Sequence, residues 1–235
     1  MIEDFSLQIK EGTKKSHSAA ENTKFVSSFL KGVVSRENYA KLTTNFYFVY
    51  RCIEEEVDKL KTSNQCVGMI ENKMLNRAPS LAKDLEYFYG KDWRNFVTPT
   101  DACQQYVNRI REVAASEPEL LVAHHYTRYM GDLSGGQILK QIAKNALNLD
   151  DINGLNFYEF EDIQDTKGFK IQYRAILDNL PIDQHQANAI ITEANYAFRL
   201  NMYMFDELQG NEFNSFVKMV CGFIRANTNN WKRGE

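Results

Sequence analysis

The spacing of apolar residues follows the period of an α-helix over most of the chain, and strand-like alternation is almost absent. Each of the four prolines lies shortly before such a segment or in its first turn, where a missing N–H costs least. The pattern predicts helices near 5–30, 36–61, 79–89, 100–115, 118–148, 165–179, 183–209 and 211–227, with a single strand-like stretch, FYEF, at 157–160. These 235 residues are therefore predicted to form one all-α domain, 1–235, with its core over about 5–210 and a C-terminal tail over about 211–235.

Composition and charge exclude several classes of protein. A net charge of −3 gives no general affinity for nucleic acid. The four cysteines (52, 66, 103 and 221) show no CxxC spacing, which disfavours structural zinc, a redox dithiol or a disulfide framework and favours the reducing cytoplasm or a plastid stroma. The N-terminus has no secretory signal, and the apolar stretch FNSFVKMVCGFIRA is too short and too charged to span a bilayer. We expect a soluble protein without a membrane partner.

Three glycines interrupt a predicted long helix in the segment YTRYMGDLSGGQILKQIA, residues 126–143. Each glycine costs a helix about 0.5–1 kcal/mol relative to alanine. Gly131 and Gly135 are four residues apart and share one face, which could bend and admit a flat ligand. Close contact between helices is the alternative explanation. LSGGQ also matches the signature of ABC-type ATPases, but the chain lacks the GxxxxGK[ST] phosphate loop that such an enzyme needs.

A stripe of polar residues runs along the first helix, where Lys10, Lys14, His17 and Glu21 are spaced i, i+4, i+7 and i+11. Such a stripe often marks a solvated face. It also suits haem: an imidazole can bind iron through one nitrogen while a carboxylate one turn away accepts a hydrogen bond from the other. The two lysines could then neutralise the carboxylates of a tetrapyrrole.

A second cationic cluster and three further histidines complete the candidate residues. FKIQYR places Lys170, Tyr173 and Arg174 on one helical face, which we interpret as a second anion clamp. His185 lies at a polar helix start and is predicted to be solvated. His124 and His125 point about 100° apart, so they cannot both face one site, and we interpret both as structural or surface residues.

Three stretches closely resemble haem oxygenases: KEGTKKSHSAAEN, ELLVAHHYTRYMGDLSGGQILKQIAKNAL and EANYAFRLNMYMFDEL. The resemblance covers about residues 5–210 and is strongest to the soluble cyanobacterial and plastid type. It implies a helical fold that holds haem b, both substrate and cofactor, between a proximal helix and a kinked distal helix. The implied reaction opens haem with O₂ at the α-meso carbon, giving biliverdin IXα, CO and Fe²⁺. Reduced ferredoxin would supply the electrons, and a bilin reductase would use the product in bilin synthesis.

The resemblance also implies a role for each matching residue. His17 would be the proximal iron ligand, Glu21 its hydrogen-bond partner, and Gly131 and Gly135 the face of the distal helix. Asp132 would anchor the catalytic water network, with support from Tyr50, Arg128 and Asn201. The remaining implied contacts are propionate contacts at Lys10, Lys14, Tyr126, Lys170 and Arg174 and pocket walls at Phe198 and Phe205. Because the chain is mildly acidic overall, attraction to an acidic ferredoxin would need a local basic patch, for which the candidates are Lys14, Lys15, Lys140 and Lys144.

Two other functions remain compatible with such a fold. One is a non-catalytic protein that binds or delivers haem, and the other is a catalytically silent helical interaction protein. The intact His17 argues against the second, and the unbroken GDLSGG with Asp132 argues against both.

Overall fold

The computed structural model describes residues 4–231, with side chains as far as residue 208. All regular secondary structure in this part of the chain is helical, which confirms the predicted all-α class. The helices are α1 (Phe5–Glu21), α2 (Lys24–Leu30), α3 (Arg36–Leu60), α4 (Gln65–Ile70), α5 (Ala78–Tyr89), α6 (Asp101–Ser116), α7 (Leu121–His125), α8 (Gly131–Ala146), α9 (Thr166–Asp178) and α10 (Gln184–Trp231). A π-helical turn, Tyr126–Met130, joins α7 to α8, and short 3₁₀ turns lie at Lys73–Leu75, Trp93–Asn95, Pro118–Leu120 and Asn156–Tyr158.

Two capping side chains start helices that the sequence did not predict as separate helices. The predicted helix over 5–30 divides into α1 and α2, because Thr23 adopts an extended conformation and its side chain accepts a hydrogen bond from the backbone N–H of Val26. Helix α4 was not predicted. Asn64 caps it by accepting from the backbone N–H of Val67 at 3.1 Å. A single polar side chain therefore decides where a helix begins in each case.

The segment FYEF at 157–160 does not form a strand, and the strand interpretation was wrong. Its first residues lie in the 3₁₀ turn Asn156–Tyr158. The backbone N–H groups of Asn156 and Phe157 each donate to the buried carboxyl of Asp84 at 2.8 Å. The Asp84 carboxyl of α5 thus accepts from backbone N–H groups that a neighbouring strand would otherwise pair with.

Helix α10 packs against α1, the helix that carries His17. Two helices were predicted over 183–209 and 211–227, but the backbone continues as one helix. Helix α1 lies close against it, because a Cβ added at Gly12 would come within 2.7 Å of Ile191 Cγ2. Asn195 fastens the contact: it accepts from Ser16 Oγ at 2.5 Å and donates to the Gly12 carbonyl at 3.1 Å.

The cysteines 52, 66 and 103 are buried and free, whereas the side chain of Cys221 lies outside the described residues. In the part of the chain that the structure describes, no helix is both long and apolar enough to cross a bilayer.

Candidate active site

The helix predicted over 118–148 is irregular where the glycines begin. It consists of the 3₁₀ turn Pro118–Leu120, helix α7, the π-helical turn and helix α8. A π-helical turn inserts an extra residue into the helix and frequently occurs at functional sites. Here it ends at Met130, directly before Gly131. The departure from α-helical geometry therefore precedes the glycines rather than falling among them.

The face of α8 that carries Gly131 and Gly135 is bare backbone. A Cβ added at either position would meet no protein atom within 4 Å. At Gly12, where two helices do pack closely, the added atom would lie 2.7 Å from Ile191. Close packing therefore explains Gly12 but not Gly131 or Gly135, and that alternative is wrong for these two glycines of α8.

His17 lies in the last part of α1 with a half-exposed side chain. Its Nδ1 atom is 3.6 Å from Glu21 Oε2, which is an ion-pair distance and longer than a hydrogen bond. The two residues are one turn apart as predicted, but the predicted hydrogen bond is not formed. The imidazole packs edge-on against Phe198, with 5.7 Å between ring centroids.

One stripe of α10 contacts α1, the π-helical turn and α2. Phe198 packs against His17 of α1, and Asn201 accepts a hydrogen bond from Arg128 Nη1 at 2.6 Å. Phe205 stacks on Phe25 of α2 with 5.7 Å between ring centroids. Because these positions are spaced i, i+3 and i+7, they lie along one face of the helix. The two predicted aromatic walls and Asn201 therefore share this face.

A buried hydrogen-bonded group joins α3, the π-helical turn, α8 and α10. The Tyr50 hydroxyl donates to Asp132 Oδ2 and accepts from Arg128 Nε at 2.9 Å. Arg128 Nη2 lies 3.9 Å from Asp132 Oδ1. The guanidinium also lies 4.4 Å from the centre of the Phe46 ring, a cation–π contact. The structure thus brings together the four residues that the resemblance assigns to one network: Tyr50, Arg128, Asp132 and Asn201.

Burial and neighbouring charge shift the pKa values of this network. Burial raises the pKa of Asp132, while the Arg128 charge and the Tyr50 hydrogen bond oppose the shift. Burial also raises the pKa of Tyr50 well above its usual range. Although burial opposes it, interaction with Tyr50 and Asp132 raises the pKa of Arg128. The network therefore holds a permanent cation next to a carboxyl group that is easier to protonate than usual.

Two of the predicted propionate contacts, Tyr126 of the π-helical turn and Arg174 of α9, interact with each other. Burial raises the pKa of Tyr126, while a hydrogen bond with Thr13 and the charge of Arg174 act in the opposite direction. Thr13 is one turn before His17. Lys10, Lys14 and Arg174 are exposed, and Lys170 is partly exposed. Tyr126 and Arg174 therefore lie near the N-terminal side of His17.

Tyr173 does not belong to the exposed clamp that the sequence suggests. Its ring is buried, and its hydroxyl lies 2.7 Å from Nδ1 of the buried His125. His124 is also buried, with Nε2 3.0 Å from Glu193 Oε1, a carboxylate that Arg109 holds with two hydrogen bonds. Both adjacent histidines are thus structural, and neither lies on the surface. His185 is exposed at the start of α10, as predicted.

Sequence reasoning missed two residues of α3 that support the network. Phe46 covers the Arg128 guanidinium, and Glu54 accepts from the Tyr129 hydroxyl at 3.2 Å. Glu54 also accepts from the backbone N–H of Arg77 at 2.5 Å. Phe46, Tyr50 and Glu54 are spaced i, i+4 and i+8, so their common face of α3 was the available signal.

The site combines the bare face of α8, the accessible imidazole of His17 and a buried network that can hold protons. Together these features indicate a class of protein that binds a flat, metal-containing ligand and performs chemistry on it. The chain matches the family model described as "Heme oxygenase" over residues 3–207, and it belongs to the haem oxygenase family. It is therefore an enzyme that degrades haem.

Relatives and solved structures agree with this assignment. The chain is 54% identical to heme oxygenase 1 of the cyanobacterium Synechocystis over 220 residues, covering 94% of this chain and 91% of the relative. It is 48% identical to the heme oxygenase of Porphyra purpurea, covering 97% of this chain and 96% of the relative. The crystal structure of Synechocystis heme oxygenase-1 in complex with heme superposes with a TM-score of 0.87 at 53% identity, covering 94% of this chain and 99% of that chain.

Proposed function

We propose that the protein opens haem at its α-meso carbon with O₂ and electrons from reduced ferredoxin, forming biliverdin IXα, CO and Fe²⁺ for bilin synthesis. The observation that carries this proposal is the buried network of Asp132, Tyr50, Arg128 and Asn201 beside the bare face of Gly131 and Gly135. That network can hold protons near a flat ligand without placing a side chain against the ligand's face.

The residues of the site suit haem as the substrate. His17 directs Nδ1 towards Glu21, so Nε2 is the nitrogen that would bind iron. Phe198 and Phe205 would supply apolar surface at the edge of the ring. Any side chain at Gly131 or Gly135 would occupy the space that a porphyrin and its bound gas need. Haem, when bound, supplies the iron at which O₂ is activated.

The protein's own contribution to the reaction is to hold and deliver protons. Asp132 Oδ2 accepts a hydrogen bond from the Tyr50 hydroxyl, and Asp132 Oδ1 would anchor a water facing the bound ligand. Arg128 keeps Tyr50 in place through Nε and is itself fixed by Asn201. Because Tyr50, Arg128, Asp132 and Asn201 include no imidazole, this network would supply protons through a water held by Asp132 rather than directly from a histidine side chain.

Five residues would determine how haem lies in its own plane. Lys10, Lys14, Tyr126, Lys170 and Arg174 can donate to the two propionates. Because these donors belong to α1, the π-helical turn and α9, they would hold the propionates off-centre relative to Asp132. That placement would select the meso edge that faces the activated oxygen.

Charge and cysteine chemistry support the proposed partner and compartment. An acidic ferredoxin would meet Lys14, Lys15 and Lys144 near the haem edge. Lys140 is already ion-paired with Glu159, so we assign it a smaller part in docking. The buried free thiols suit a reducing compartment, the cytoplasm or a plastid stroma. A bilin reductase would then receive the product.

The test is a single turnover of the protein loaded with one equivalent of haemin. NADPH, ferredoxin and ferredoxin reductase should convert the Soret band into biliverdin absorption, and chromatography should show the IXα isomer. A parallel reaction with ascorbate separates the choice of reductant from the chemistry. A stable Soret band in both reactions would instead indicate a protein that binds or delivers haem.

A further inference from the structure

His125 and Tyr173 form a buried polar contact between the end of α7 and the middle of α9. The His125 Nδ1 atom lies 2.7 Å from the Tyr173 hydroxyl. The two rings are nearly parallel, at 7° and 5.6 Å between centroids, and Tyr129 packs against the imidazole at 4.4 Å. The exposed fractions are only 3% for His125 and 2% for Tyr173.

Helix α9 has few buried anchors apart from this contact. Of its thirteen residues, only Tyr173 and Leu177 are buried. Its C-terminal end is fastened to α1, because Asp178 accepts from the backbone N–H and the hydroxyl of Ser6. Tyr173 is the buried residue nearer to Lys170, and its contact with His125 anchors that half of α9 together with the partly buried Phe169.

The contact lies next to two of the proposed propionate donors. His125 directly precedes Tyr126, and Tyr173 directly precedes Arg174. Burial lowers the pKa of His125 to about 3 and raises the pKa of Tyr173 above its usual range. Both groups are therefore uncharged at neutral pH, and the hydrogen bond persists across the working range of an enzyme.

We infer that the His125–Tyr173 hydrogen bond is a positioning contact, which sets the distance between the π-helical turn and α9 and thereby the in-plane orientation of haem. The inference rests on the proposed function for its consequence, since it assigns Lys170 and Arg174 to the propionates. The contact itself is a property of the haem-free protein. It can therefore be tested separately.

The experiment compares four variants with the wild type, first without haem. Tyr173→Phe and His125→Phe keep the rings but remove the hydrogen bond, whereas His125→Asn keeps a polar atom near the position of Nδ1. His124→Gln is the matched control, because His124 is equally buried but contacts Glu193 of α10. We expect hydrogen–deuterium exchange of the α9 amides to be about tenfold faster in both Phe variants, and close to wild type in His125→Asn and His124→Gln.

The haem-loaded proteins provide the second readout. The two Phe variants should produce a mixture of biliverdin isomers, and NMR of the haem-loaded form should show more than one in-plane orientation. Wild-type exchange in α9 together with a single isomer in both Phe variants would overturn the inference. A change in His125→Phe without a change in Tyr173→Phe would also overturn it, because ring packing alone would then hold α9. If the wild type forms no biliverdin, the proposed function fails, while the exchange data still decide whether the contact positions α9.

Discussion

The two sides of the site differ in how far protein contacts fix them before a ligand binds. On α1 the His17 side chain is 54% exposed, and its nearest charged partner, Glu21, is 3.6 Å away and 59% exposed. Near the start of α8, the buried Arg128 donates hydrogen bonds to Tyr50 and Asn201, and the Tyr50 hydroxyl donates to Asp132. The proximal side thus offers one reactive atom, whereas the distal side offers a prearranged network. We infer that the first side would hold the iron and that the second would govern the choice of chemistry.

Removing the proximal atom should have the largest effect on the bound state. His17→Ala should still capture haem through the propionate donors and apolar walls, but should lose the iron–nitrogen bond. Mutating a residue that only supports a metal ligand typically lowers metal affinity or activity by about 10–100-fold. Because His17 would be the ligand itself, we expect turnover to fall by at least that much. Resonance Raman spectroscopy of the ferrous complex provides the measurement. An iron–histidine stretch retained in the variant would refute the assignment of His17.

Filling the bare distal face should separate stability from activity. Gly135→Leu adds a helix-favouring side chain worth up to about 1 kcal/mol and meets no protein atom at its Cβ, so the haem-free variant should melt at or above the wild-type temperature. O₂ binding and ring opening should both be strongly reduced.

Gly12→Leu is the matched control for this substitution. It should destabilise the protein by about 1–3 kcal/mol, because its Cβ would lie 2.7 Å from Ile191. Normal activity of Gly135→Leu, or equal stability changes at the two glycines, would contradict the proposed difference between the two helix faces.

Removing the clamp on α9 should change the product more than the affinity. Exposed charge pairs contribute about 0–1 kcal/mol each, whereas buried apolar surface contributes about 25 cal/mol per Å². In the double variant Lys170→Ala/Arg174→Ala, the affinity for haem should therefore fall by no more than about 30-fold. The product should include some β or δ biliverdin. Pure α isomer on chromatography would remove these residues from the control of regiochemistry.

The smallest effect is expected at Glu21. Because its carboxylate is exposed and lies beyond hydrogen-bond distance of His17, Glu21→Gln should lower turnover by less than about tenfold and shift the iron–histidine stretch slightly. A loss as large as that of His17→Ala would show that the proximal side is as prearranged as the distal side.

The sequence predicts structure well where a pattern repeats along one helix, and poorly where a single side-chain contact decides the local structure. The period of apolar residues predicts most helices, and the spacing of Gly131 and Gly135 predicts a bare face. In contrast, the division between α1 and α2 depends on one cap at Thr23, and the 3₁₀ turn at 156–158 depends on the distant Asp84.

Tyr173 shows the same limit within the site. Its spacing from Lys170 and Arg174 correctly places it near them on α9, but spacing along one helix does not show which side chain turns inward. Its buried hydrogen-bond partner, His125, is 48 residues away in sequence. Sequence patterns therefore indicate the helices of the site better than the contacts between them.

The most direct test of the distal network is a single turnover of haem-loaded Asp132→Ala. The substitution leaves His17 and the propionate donors in place, so haem affinity and the ferric Soret spectrum should remain close to wild type. Without its carboxylate the water that delivers protons should be lost, and we expect haem to be consumed with little biliverdin formed. Biliverdin formed at the wild-type rate and in full yield would contradict the account.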